Sequence, residues 1–431
     1  MIRPPNSLSI HRRLVEKLEM GVTIFWLLYF MGVKFPPPIP ASLVNALSYP
    51  FITVLVALHW RRLSWVATRD ILLLILLAFS LASFLWSDVP KLTLDANRGL
   101  LRMIVFGAYL AARYSIKEQM KIFTWVFAIG AILSLAVALA IPSYGISGRV
   151  AHGGAVVGLF PYKNYMGYSM VLGAITFLLV ASFKKGMQNW LVRGGFCLAI
   201  ILVILSRSSA SLMCLFVLLS LMPLYQLIKL HYKPKIVILC FVCILTGSAA
   251  IIILGNLETI LVNILGENVG FSGRTPIWTL VIEKVVEERP WLGYGMNAFW
   301  KSDAGLYVIN NTWGSLTTEN IVQQSFNFHN GYLPVFASLG FIGFFVCIAS
   351  FLSVFTRVII LLFLTQRIEF FWLFQFLIFI LIGGYADDIV SILNSSSYCV
   401  IYVSICLSTA VEYRKLGSAR ANQINTYKYY G

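Results

Sequence analysis

The chain has 431 residues, of which 59% are hydrophobic and only 12% charged, and its mean hydropathy is +0.83. A soluble domain carries about 25% charged residues, so this composition excludes an ordinary soluble enzyme. It implies an all-α polytopic membrane protein, folded as a single integral membrane domain over 1–431. The formal net charge of +16 would suit nucleic acid, were it not for where the charges fall.

A span needs about 20 mostly apolar residues. In chain order the predicted spans are about 20–36, 42–59, 70–86, 99–112, 121–142, 164–182, 191–206, 209–228, 236–254, 333–356, 370–386 and 395–411. The segment before Met20 is polar and charged, and no small-residue cleavage site follows the first apolar run, so no cleavable leader is expected. The apolar run 332–364 is too long for one span, and Arg357 is expected to break it. With the N-terminus in the cytoplasm, two-thirds of the 33 lysines and arginines lie in cytoplasmic connections and termini, among them Arg61, Arg62, Arg69, Lys184, Lys185, Arg367 and Arg414. The positive-inside rule is then satisfied by twelve spans with both termini cytoplasmic and a long periplasmic loop, 255–332, between spans nine and ten. The charge thus reflects topology and anionic lipid rather than nucleic acid. All seven cysteines sit in apolar runs. Cys240 and Cys243 have C-x-x-C spacing but lie in ILCFVCIL, which reads as buried small hydrophobes rather than a zinc or redox site.

Four polar stretches fall on the outer face. The first, GRVAHGGAVVGLFPYKNYMGYS, carries Arg149, His152, Lys163 and Asn164 before a span. Lys163 suits a phosphate, and equally suits a lipid headgroup to which it snorkels. In the second, Arg207 ends one span and Ser208–Ser211 begin the next. An arginine at that depth is costly unless paired or facing water, and a functional role is favoured over a plain interfacial anchor.

The third stretch, 271–300, contains an amphipathic helix. Thr275-Pro276 marks its start. Ile277, Leu280, Val281 and Val285 form its apolar stripe, Glu283, Lys284, Glu287 and Glu288 its polar one, and Pro290 its end. Arg289 suits the negative C-terminal end of that helix. Arg274 stands at the positive end, where anions are favoured, and with the free N–H groups there it makes a pyrophosphate cradle. The fourth stretch is His329-Asn330, where the loop meets a span. An imidazole is suited to general-base work near neutrality, although a lone His is more often a structural hydrogen-bonder. Asp387-Asp388 and Glu319 are both candidates to orient it.

No H-E-x-x-H, D-x-D, Walker lysine loop or GxSxG elbow occurs, so neither ATP, a metal nor another cofactor is suggested. Three elements together resemble the bacterial O-antigen ligase and exopolysaccharide polymerase family. His329-Asn330, nine residues, Gly340, two residues and Gly343 fit the family's H-[NSQ]-x9-G-x2-[GTY] pattern. Gly273-Arg274 with Trp278, followed by Pro290, Gly293 and Gly295, fits its G-R-x-x-x-W and P-x-x-G-x-G elements. Gly158, Phe160 and Lys163-Asn164 look like its G-x-F-x-x-K-N element.

The resemblance implies a metal-independent glycosyltransferase of the bacterial inner membrane, with its active site on the periplasmic side. Such proteins move a glycan from an undecaprenyl-pyrophosphate-linked oligosaccharide to an acceptor hydroxyl. By this resemblance Arg274 and His329 are the catalytic pair. Arg207, Arg274, Arg289 and Lys163 would hold the donor pyrophosphate, with Asn330 and Asn164 in support; His152 has no counterpart. The implied partners are the lipid-linked donor, a glycan or lipid-linked acceptor and membrane lipids, with a chain-length regulator as a further candidate. A polymerase of repeat units is favoured narrowly over a ligase that attaches glycan to lipid A–core. A flippase or exporter would want charges through several spans, and only Arg102 qualifies.

Overall fold

The computed structural model describes residues 7–34, 40–148, 153–229, 274–312 and 326–430. The predicted span 236–254, Cys240, Cys243, Arg149, His152 and Glu319 lie outside the described residues. The described chain is helical, with one isolated β-bridge between Ile146 and Val156. In order, its main helices are α1 (Ser7–Phe30), α2 (Ala41–Ala67), α3 (Ile71–Ala82), α4 (Pro90–Arg113), α5 (Ile116–Ala140), α6 (Lys163–Ala181), α7 (Gly186–Leu205), α8 (Ser209–Ile228), α9 (Arg274–Glu288), α10 (Asp303–Asn310), α11 (Leu333–Thr365), α12 (Ile368–Ala386) and α13 (Ser397–Tyr430).

Seven of these, α2, α5, α6, α7, α8, α11 and α12, are long and apolar enough to cross a membrane, and Ile71–Leu85 is a shorter apolar helix. The predicted spans 20–36, 99–112 and 395–411 fall on α1, α4 and α13. Charge dilutes the apolar stretch of each of these helices: Glu16, Lys17 and Glu19 in α1, Lys91, Asp95, Arg98 and Arg102 in α4, and Glu412, Arg414 and Lys415 in α13.

The chain forms two compact units, Met1–Leu58 with Arg113–Leu212, and His59–Ala112 with Met213–Gly431. In the first, α6 is almost wholly buried. Glycines let it approach its neighbours: Gly173 meets the Phe127 side chain of α5, and Gly195 of α7 meets the Phe177 ring. The Arg113–Glu19 ion pair, at 3.0 Å, ties the residue that ends α4 to α1. Ser115 and Glu118 close a capping box at the start of α5, satisfying two orphan N–H groups of that helix end.

In the second unit α11 is the organising element. Ser350 and Tyr402 share a buried 2.9 Å hydrogen bond that joins it to α13. Arg357 does not break α11, as the apolar run had suggested. It lies inside the helix, its side chain 13% exposed, in an ion pair with Asp70, whose side chain is 4% exposed. Asp70 also caps α3 by accepting from the Leu73 amide. The helical run breaks instead at Gly340, which adopts φ 61°, ψ −163°. The pairing explains why charge alone misplaced the break: a buried arginine with a carboxylate partner is tolerated within a helix, whereas a lone one is not.

Candidate active site

α9 begins at Arg274, one residue before the expected threonine cap. Ile277, Val281 and Val285 are fully buried, in a cluster with Phe299, Val308 and Phe336. Burying each such side chain is worth about 1.5–3 kcal/mol, so the helix is seated firmly enough to fix the direction of its polar groups. Arg274 and Trp278 stand one turn apart on the same face. Arg274 donates through Nη1 to the carbonyl of Ala386 at 3.1 Å, and Trp278 donates through Nε1 to the carbonyl of Phe328 at 2.9 Å. Arg274 therefore serves the negative C-terminal end of α12, which accounts for a cation at the positive end of its own helix. A guanidinium has five N–H donors, and the Ala386 contact uses one.

Trp278 thus holds the residue that precedes His329. His329 itself adopts φ 49°, a left-handed conformation that is uncommon outside glycine and characteristic of constrained sites. Asn330 is buried. Its Oδ1 accepts from the amides of Tyr332 and Leu333 at 2.8 and 3.2 Å, and so caps α11. Its Nδ2 donates to the Tyr385 carbonyl at 3.4 Å, and the Tyr332 hydroxyl donates to the Leu381 carbonyl at 2.6 Å. The segment 329–332 is stitched in this way to the end of α12.

That end carries Asp387-Asp388. Asp387 is 3% exposed and accepts from the Ile389 amide. The structure places this carboxylate source near enough to His329 for the Asp387 charge to act on it. Burial and the nearby Arg274 charge lower the His329 pKa, while the Asp387 charge opposes them. The Asp388 carboxyl is raised well above the usual carboxylate range by burial and by Asp387 beside it, since neighbouring carboxylates resist ionising together. The site thus holds a His biased to the neutral form, a guanidinium and, at Asp388, a carboxyl biased to the protonated form.

The motif glycines have a separate, structural purpose. At Gly340 the helix break frees backbone groups that dock the turn after α9. The Tyr294 and Gly295 amides donate to the Ala337 and Ser338 carbonyls, each at 2.9 Å, and the Phe341 amide donates to the Pro290 carbonyl at 2.7 Å. A Cβ on Gly340 would overlap the Trp291 backbone, and one on Gly293 would overlap Ser338. Both glycines also have positive φ, so no other residue fits this backbone-to-backbone contact.

Arg289 lies at the far end of α9, roughly 22 Å from Arg274 at 1.5 Å per residue. Its guanidinium pairs with Asp88, donates to the Trp86 carbonyl at 2.9 Å, and lies over the Tyr294 ring. The structure therefore does not bring Arg289 to Arg274. In the other unit, Lys163, at the start of α6, donates to the Arg207 carbonyl at 3.2 Å. Arg207 is exposed, with φ 49°, and its guanidinium donates to the Gly153 carbonyl. Lys163, Asn164 and Arg207 therefore share one corner of that unit.

Two cavities flank the His329 segment. One, of about 420 Å³, is lined by polar and aromatic groups including Asn297, Trp300, Asn327, Phe328 and Asp388. The other, of about 400 Å³, is apolar, with Gly331, Tyr332, Phe344, Phe351, Ile380 and Gly384 on its wall. Val335 and Ser391 line both. Sequence reasoning passed over Asn297, Trp300 and Asn327; the visible signal was the aromatic-rich GYGMNAFW after the loop helix.

Residues 194–348 match the family model described as O-antigen ligase. No curated protein matches the chain. The matched segment holds Arg207, Arg274, Arg289, His329, Asn330 and Gly340; Lys163, Asn164 and Asp387-Asp388 lie outside it. With the apolar helices, the match supports a membrane-embedded protein of the O-antigen ligase-like kind, and a membrane glycan transfer of the ligase or polymerase type.

Proposed function

We propose that this protein is a glycan transferase of the bacterial inner membrane that moves an undecaprenyl-pyrophosphate-linked glycan to an acceptor hydroxyl on the periplasmic face. The observation that carries the reading is that a cavity with polar groups on its wall and an apolar cavity are neighbours, sharing Val335 and Ser391, beside the segment that bears His329. A substrate that is part saccharide and part isoprenoid needs both. In this reading the chain crosses the membrane twelve times with both termini cytoplasmic, and 255–332 is the periplasmic loop.

The acceptor oxygen attacks the anomeric carbon of the donor glycan. The bond from that carbon to the pyrophosphate oxygen breaks, and undecaprenyl pyrophosphate leaves. His329 takes the acceptor's proton, a role that its bias toward the neutral form suits. Arg274 stabilises the charge that develops on the leaving pyrophosphate. Lys163 and Arg207, supported by Asn164, serve the donor's phosphates, and Asn330 holds the His329 turn. Arg289 is reassigned from donor binding to anchoring the loop helix on Asp88. The donor carries its own activation, so the step draws on no ATP, cofactor or metal.

The best reading is polymerisation of exopolysaccharide or O-antigen repeat units, supported by the Gly158 to Asn164 element. Ligation to lipid A–core is the second reading, supported by the fully matched His329 pattern and by the name of the matching family. Deleting the gene separates them. Loss of a polymerase leaves lipid-linked single repeat units and surface lipid bearing at most one unit. Loss of a ligase leaves long lipid-linked polymer and lipid A–core bearing none. An unchanged surface-glycan profile with no lipid-linked intermediate would reject both.

A further inference from the structure

The polar cavity has a chemistry of its own. Trp300 is held by three phenyl rings, with ring centroids 4.6 Å from Phe328, 4.9 Å from Phe326 and 5.0 Å from Phe299. Its face is therefore fixed before any ligand arrives. Trp300 Nε1 and Asn327 Oδ1 are both buried with no hydrogen-bond partner, and both side chains line the cavity. Leaving a buried polar atom unpaired is costly, and native structures rarely do so without a reason. One of these atoms only donates and the other only accepts. A hydroxyl group does both, so a polyhydroxyl ligand has groups that suit each of these atoms. Asn297, Lys301 and Asn394 add further polar groups to the wall. The cavity's size falls within the range of small-molecule sites, about 300–1,000 Å³. A rigid aromatic face for the C–H groups of a pyranose, with donors and acceptors around it for the hydroxyls, suits a sugar ring.

We propose that this cavity is a saccharide subsite in which a sugar ring lies on Trp300 and its hydroxyls accept from Trp300 Nε1 and donate to Asn327 Oδ1. The inference rests on the glycan-transfer reading for the identity of the saccharide and extends it to named specificity residues. Phe328 and Asp388 on the cavity wall are immediate neighbours of His329 and Asp387 in the chain. A ring seated there belongs to the saccharide close to the reacting hydroxyl, from either the acceptor or the donor glycan.

The test uses the full chain in lipid nanodiscs. The probe is carbohydrate released by mild acid from the lipid extract of the cells that make the protein. Wild type is expected to bind it saturably. Trp300→Ala should bind at least about tenfold more weakly, and Trp300→Phe, which keeps a ring but loses the N–H, should fall between. Asn327→Leu should weaken binding while leaving thermal stability equal or higher, because it removes an unpaired buried acceptor. That combination separates a ligand role from a structural one. Should wild type bind no better than Trp300→Ala, or should Asn327→Leu bind as wild type does, the subsite is overturned.

Steady-state transfer then distinguishes the sources. A raised KM for acceptor in Trp300→Ala assigns the acceptor glycan, and a raised KM for donor assigns the donor glycan. Neither KM moving also overturns the subsite. Saturable, Trp300-dependent binding in a wild type that transfers nothing would leave the subsite standing and reject the glycan-transfer reading instead.

Discussion

Arg274 donates to the carbonyl oxygen of Ala386, a residue 112 positions later in the chain, and Asp387-Asp388 begin at the next residue. This one contact puts the first residue of α9 at the end of α12, a helix long and apolar enough to cross a membrane, where His329 also turns. The geometry requires a long, planar donor group that reaches a carbonyl and still has N–H groups to offer elsewhere. Arg274→Lys keeps the charge and loses that fork. Transfer by this variant is expected to fall about 100-fold, the scale of removing one preorganised donor, with the protein's level in the membrane unchanged. Near-normal polymer output would remove Arg274 from the reaction.

His329→Ala is expected to lower turnover by about 10²–10⁴-fold, the usual contribution of a general base. Donor affinity should survive, since the proposed mechanism gives donor binding to the basic side chains. Equilibrium binding of a fluorescent undecaprenyl-pyrophosphate glycan checks this. A loss of donor binding as large as the loss of turnover would assign His329 to the donor site or to the fold.

The pH profile follows from the charges around His329. Burial and Arg274 favour the neutral imidazole, so its pKa lies below the ordinary 6.5. Activity that needs the neutral form should therefore persist below pH 6.5 and fail only as the pH drops further. Asp387 favours the imidazolium. Asp387→Asn should lower the pKa again and move the acid limb of kcat/KM to still lower pH. An acid limb that moves upward in this variant would contradict the assignment of Asp387 as the opposing charge.

Gly340→Ala and Gly293→Ala each place a Cβ against backbone at a positive φ. Strain of this kind costs about 1–3 kcal/mol, and overlap with fixed backbone adds to it. Both variants should lose thermal stability in detergent and lose transfer together, because the turn after α9 no longer docks. Gly21→Ala, with nothing near its Cβ, should do neither. If Gly340→Ala melted as wild type does, the docking account of the motif glycine would be wrong.

The topology is open to labelling in a cysteine-free background. Ser302 is unsuited as a reporter: it is 5% exposed and caps α10. Asp303, its exposed neighbour, should report the periplasmic side as cysteine, and Ser418 the cytoplasmic side. A cytoplasmic signal from Asp303→Cys would overturn the orientation.

Much of this was legible in the sequence. Apolar runs locate helices because the bilayer demands unbroken apolar length, and the stripe of Ile277, Val281 and Val285 reads directly as a buried face. The amphipathic pattern could not say what the far ends touch. Arg274 meeting Ala386, and Arg289 meeting Asp88, are contacts between residues more than a hundred positions apart, and charge periodicity is blind to them. The break at Gly340 was hidden for a similar reason: it is made by the turn that docks there, while Arg357, the visible irregularity, is neutralised by distant Asp70. Trp300 and Asn327 were hidden because a lone Trp or Asn in an aromatic loop gains meaning only when its polar atom is seen to be buried and unpaired.

The central claim is that His329 and Arg274 transfer a glycan from a polyprenyl pyrophosphate. The most direct measurement is transfer by the purified full chain in nanodiscs, with undecaprenyl-pyrophosphate glycan as sole donor, a chelator present and no nucleotide. Elongated or transferred glycan and one released undecaprenyl pyrophosphate per bond are expected from wild type, and neither from His329→Ala or Arg274→Ala. Equal product from wild type and both variants, or no product from wild type until ATP or a metal is supplied, would contradict it.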